Sequence, residues 1–69
     1  MKIELWNTFN SSKISSHRTV EAAVAARIGH SKAVERTNGP GSYTTYAIRY
    51  ADGSPVEMEA CMAAEESLR

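Results

Sequence analysis

A chain of 69 residues with 42% hydrophobic residues and one cysteine holds a single domain with a small core and no internal disulfide. Eight Lys/Arg balance eight Asp/Glu, so the formal net charge is zero, which argues against a non-specific binder of nucleic acid. No apolar run approaches the roughly 18 residues of a membrane span, and too few Cys and His are present for a structural zinc.

The balance of charge hides a segregation. Residues 1–50 carry Lys2, Lys13, Arg18, Arg27, Lys32, Arg36 and Arg49 against Glu4, Glu21 and Glu35, an excess of four positive charges. Residues 51–69 carry Asp52, Glu57, Glu59, Glu65 and Glu66 against Arg69, an excess of four negative ones. Such a layout suits two halves that attract each other within one fold or across a dimer, or a basic face with an acidic counter-face.

In chain order, the first residues alternate. Ile3, Leu5 and Phe9 fall on one face of an extended segment, and Lys2, Glu4, Trp6 and Thr8 on the other. This alternation is unlike a signal peptide's continuous apolar core, and a cytoplasmic chain with a free thiol is expected. Asn10-Ser11-Ser12 also matches a glycosylation sequon, which has no role without export. The same residues read as a turn, after which Lys13–His17 returns as a short polar strand suited to an edge.

The longest run with one period follows. Thr19 is a candidate N-cap, and Glu21 places a carboxylate at the positive end of the helix dipole. Val20, Val24 and Ile28 recur at steps of four, with Ala23 beside them and Val34 extending the stripe. One helix over about 19–37 is expected, closed by Asn38-Gly39-Pro40. Gly29 is its weak point, where a break would give two short helices; the stripe stays in phase across it and favours one.

Tyr43–Tyr50 is the strongest strand, with Thr44, Tyr46, Ile48 and Tyr50 on its core face and Tyr43, Thr45, Ala47 and Arg49 opposite. Asp52-Gly53 signals a tight turn. Ser54-Pro55-Val56-Glu57 reads as a capping box opening a second helix over about 55–68, with a strand of two or three residues at Pro55–Glu57 as the alternative start. That helix gathers Met58, Cys61, Met62 and Leu68 near one face. The expected fold is α+β, in the order ββαβα: a three-stranded, mostly antiparallel sheet packed on the long helix. A three-layer alternative sets the second helix on the other sheet face, over Trp6.

No catalytic set emerges. His17 and His30 have no ligand spacing, and Cys61 sits between Ala60 and Met62 on an apolar face, where thiols are usually inert. Gly39-Pro40-Gly41 lacks the lysine and following helix of a phosphate loop. No enzyme activity, cofactor or metal is expected. The aromatic and cationic residues suggest a partner-binding surface instead: Trp6, Tyr43 and Arg49 on the sheet, with Arg27, Lys32 and Arg36 on the long helix. A larger protein is the expected partner, and nucleic acid held by the basic βαβ portion and the sheet aromatics is the alternative.

In format, as a short single domain without catalytic constellations, the chain resembles the accessory and inhibitor proteins of phages and mobile elements, anti-CRISPR proteins among them. That resemblance implies action by occluding a larger partner. A homodimer is also expected, because the second helix's apolar stripe finds few large partners in so short a chain.

Overall fold

The computed structural model describes residues 2–39, 41 and 44–68. Its elements are β1 (Ile3–Asn7), β2 (Ser12–His17), α1 (Val20–Asn38), β3 (Tyr46–Tyr50) and α2 (Met58–Ser67). The sheet order is β2-β1-β3, and both outer strands run antiparallel to β1. They therefore run parallel to one another, with α1 as the crossover between them.

The β1–β2 turn is built by two asparagine side chains. Asn7 Oδ1 accepts from the amides of Phe9 and Asn10, and Asn10 Oδ1 accepts from the amide and hydroxyl of Ser12. Strand pairing consequently ends at Asn7, and Phe9, expected on the core face, stands 86% exposed in the turn. The β1–β2 register shifts between Leu5 and Trp6, where Ser15 and Lys13 are the successive partners and Ile14 is the extra residue.

Thr19 caps α1 as its sequence suggests: its Oγ1 accepts from the Ala22 amide at 3.1 Å. Gly39, at φ 95°, closes the helix with its N–H on the Glu35 carbonyl. The helix is continuous through Gly29, whose missing side chain faces open space. Val24 and Ala23 are fully buried, against a sheet face led by Leu5 and Ile3. Removing each large apolar side chain from water stabilises by about 1.5–3 kcal/mol, and few such side chains exist here.

Strand β3 begins at Tyr46, later than expected, and Tyr43 lies outside the described residues. Helix α2 begins at Met58 instead of Pro55, because Ser54 does not cap it. The Ser54 amide and hydroxyl both donate to Asp52 Oδ1, Pro55 bridges to Arg49, and the Val56 amide donates to the Ile48 carbonyl. The segment thus returns along the β3 edge for one bridge before the helix starts. Val56 turns inward and joins Ile3 and Ala23 in the core, where Ala60 and Cys61 of α2 also pack. This carries α2 to the α1 side, so the fold has two layers and the three-layer alternative does not form. A shortest dimension of 17 Å fits one sheet and one layer of helices.

Candidate functional site

With both helices on one side, no described element covers the other face of the sheet. Register places Trp6 beside Ala47 of β3 and Lys13 of β2, and Glu4 beside Arg49 and Ser16. The Trp6 Nε1–H donates to Glu4 Oε1 at 3.1 Å, and the Arg49 guanidinium lies 5.5 Å from the indole centroid. Lys13 Nζ approaches the other Glu4 oxygen at 3.5 Å. At the end of the strand, Thr8 and Thr45 join by their hydroxyls at 2.6 Å.

Each of these contacts is weak alone. A cation over an exposed ring contributes about 0.5–1 kcal/mol, and a surface ion pair contributes about 0–1 kcal/mol. Together they engage the indole at its N–H and over its ring, which reduces the side-chain freedom a partner has to remove on binding. Glu4 and Lys13 are members of this cluster that sequence reasoning did not single out. Alternation already set Glu4 beside Trp6, but Lys13 reaches that face only because of the bulge.

Five of the six expected interface residues divide between opposite sides of the molecule. Trp6 and Arg49 meet on the bare sheet face. Arg27 and Lys32 lie on the helical side, and Arg36 follows on the exposed end of α1 beside Lys32, Glu35 and Gly39. Arg27 is already paired with Glu65 of α2 at 3.4 Å. Tyr43 is outside the described residues.

A cleft opens on the helical side, because α2 packs on α1 and leaves β3 partly covered. Every residue of β3 is half-buried. Tyr46 and Ile48 form the cleft floor, with Val56 and Cys61 at its base and Met58 and Met62 along the α2 wall. A neighbouring hollow, which shares Arg27, Tyr46 and Glu65 with the cleft, is lined by Thr44, Ser31 and Lys32. Met58 is 77% and Met62 61% exposed. His30 Nδ1 and Tyr46 Oη share a proton contact at 2.6 Å, with the rings edge to face. Burial pushes the Tyr46 phenol up, and burial likewise raises the Cys61 thiol, opposed by nearby Arg27. A thiol raised in this way is a poor nucleophile at neutral pH.

Among the described residues no group of three or more His, Cys, Asp or Glu is placed to hold a metal ion. Among them also, no helix is long and apolar enough to cross a membrane. No protein family, curated protein or solved structure matches the chain.

Proposed function

We propose that the chain is a non-enzymatic protein-binding module that acts through the bare sheet face, in the manner of a small accessory or inhibitor protein occluding a larger partner. One observation carries this reading: Trp6 is bonded to Glu4 and lies under the Arg49 guanidinium, on a sheet face that no described helix covers. Tryptophan and arginine are the residues most enriched among binding hot spots, and a pre-fixed ring gives area at low entropic cost. The test is affinity capture with wild-type and Trp6→Ala baits, compared by quantitative mass spectrometry. Loss of a hot-spot tryptophan costs about 2 kcal/mol or more, so the variant loses a specific partner about thirtyfold or more. Circular dichroism shows the variant still folded. An identical capture profile from both baits sinks the reading.

A second reading has its own support, since Lys2, Lys13 and Arg49 outnumber Glu4 on this face. Three phosphate contacts predict that log affinity for single-stranded nucleic acid falls with log salt at a slope of about −2. Protein is the better-supported partner, because Arg49 already occupies the Trp6 ring and the described tyrosines, Tyr46 and Tyr50, face the helices. Anisotropy titration with labelled oligonucleotides at several salt concentrations separates the two readings. Salt-insensitive or absent binding removes the second.

A further inference from the structure

The bare face of the sheet is graded along its length. At one end Thr8 and Thr45 join by their hydroxyls and carry no charge. Trp6 follows, half-buried, and beyond it stands Glu4, with Arg49 beside it on β3. Lys2, exposed, precedes β1 and continues the alternation of Glu4 and Trp6. Its carbonyl accepts from the Ala51 amide, so pairing runs on past Arg49 and sets Lys2 at the same end of the sheet.

The charges on this face do not cancel. Glu4 has both oxygens engaged, Oε1 by the Trp6 indole N–H and Oε2 by Lys13. Arg49, its cross-strand neighbour, makes no ion pair among the described residues, and neither does Lys2. The other described carboxylates lie in α1, in α2 or in the segment between β3 and α2. A chain of zero net charge thus presents one face on which two cations lack a counter-charge. A guanidinium lying over a ring keeps its N–H edge for a carboxylate, and that pairing is bidentate and directional. We propose that the partner docked on this face is an acidic protein surface, with carboxylates opposite Lys2 and Arg49 and an apolar side chain over Trp6.

This inference rests on the sheet-face reading and adds the chemistry of the partner. Nucleic acid also supplies anions, but it fits the face less well. A strand carries a phosphate at every nucleotide and leaves no gap opposite Glu4. Trp6 is the one aromatic that strand register puts on this face among the described residues, whereas single strands are held by successive stacked bases. A protein surface places its carboxylates singly and leaves Glu4 clear.

Trp6 is the only tryptophan of the chain, so its fluorescence reads this face alone. The probes are short tryptophan-free peptides of leucine, alanine and glutamate, the same peptides with glutamine or lysine for glutamate, and oligothymidylate. The glutamate peptide is expected to change the Trp6 emission saturably, with an affinity that falls as salt is added. The glutamine peptide binds about tenfold more weakly, and the lysine peptide does not bind. Lys2→Gln and Arg49→Gln each weaken the glutamate peptide by about threefold or more, with an unchanged circular dichroism spectrum. Glu4→Gln acts in the opposite sense and tightens it by about threefold, since the amide oxygen still accepts from the indole N–H. Glu59→Gln, the same change of charge made on α2, leaves the affinity as it was.

Equal affinity for the glutamate and glutamine peptides overturns the proposal, and so does a Trp6 emission that no peptide changes. Oligothymidylate binding more tightly than the glutamate peptide, at matched charge and salt, overturns it in favour of nucleic acid. An equal gain from Glu59→Gln and Glu4→Gln also overturns it, because affinity then follows net charge and not this face. In each case the Trp6-dependent capture still judges the sheet-face reading, so the two fail separately.

Discussion

The Asp52 carboxylate accepts from both the amide and the hydroxyl of Ser54, at 2.9 and 2.5 Å, and so shapes the turn after β3. These two bonds hold its acid below the ordinary range, the hydroxyl bond most of all. A carboxyl with a lower value folded than unfolded adds stability above its unfolded value, near 3.9. That contribution is lost as pH falls through the folded value. Asp52→Asn therefore lowers the thermal midpoint slightly at about pH 7, and the two midpoints draw together in acid, as pH falls through the folded value of the wild-type carboxyl. An offset that is equal at both pH values means that charge has no part in the turn. Tyr50 responds to its neighbour in the opposite sense: its hydroxyl donates to Glu57, and that bond raises the phenol. Glu4 works as a different kind of bridge, joining Trp6 and Lys13 through its two oxygens on a strand whose other face is core.

At the scale of elements, α1 is the frame on which the rest is set. Its stripe buries Val24 and Ala23 completely, and Val20 and Ile28 in part. Gly29 lies on its solvent side, in helical backbone, with nothing within 4 Å of where a Cβ would stand. Gly29→Ala is therefore stabilising, by about 0.5–1 kcal/mol, through the unfolded chain's entropy and helix propensity. Urea unfolding followed by circular dichroism measures it; an unchanged or lower midpoint would show that the glycine is needed there. Helix α2 depends more on its surroundings, having no side-chain N-cap and only Ala64 fully buried. Its outer methionines add nothing to the monomer core, which is why they are available to the cleft.

Across the whole molecule, two surfaces lie back to back: the Trp6–Arg49 sheet face and the α2–β3 cleft. Their separation makes the effects of substitution separable too. Trp6→Ala is expected to leave the cleft and the core around Val56 as they are, as holds for distant independent sites. The segregation of charge along the chain becomes a segregation in space only in part. Arg27 and Glu65 cancel between the helices, while Glu59 and Lys32 remain exposed.

Local signals in the sequence determined the elements and their order. Thr19 and Gly39 bracket α1, the step-of-four stripe marks its buried side, and alternation sorts Ile3 and Leu5 from Glu4 and Trp6, as the structure bears out. These features depend on residues a few positions apart, so periodicity and caps suffice to read them. The site was legible only in pieces, because its geometry depends on residues far apart in the chain. Strict alternation would have put Ile14 beside Trp6; the bulge between Leu5 and Trp6 puts Lys13 there instead, and only strand pairing fixes such a shift. The side taken by α2 was equally undetermined. The bridge of Pro55 to Arg49 and the burial of Val56 decided it, uncovering Trp6 and opening the cleft beside β3. An amphipathic helix specifies that it must bury a face; which of two sheet faces receives it is settled by the packing of the segment that leads in.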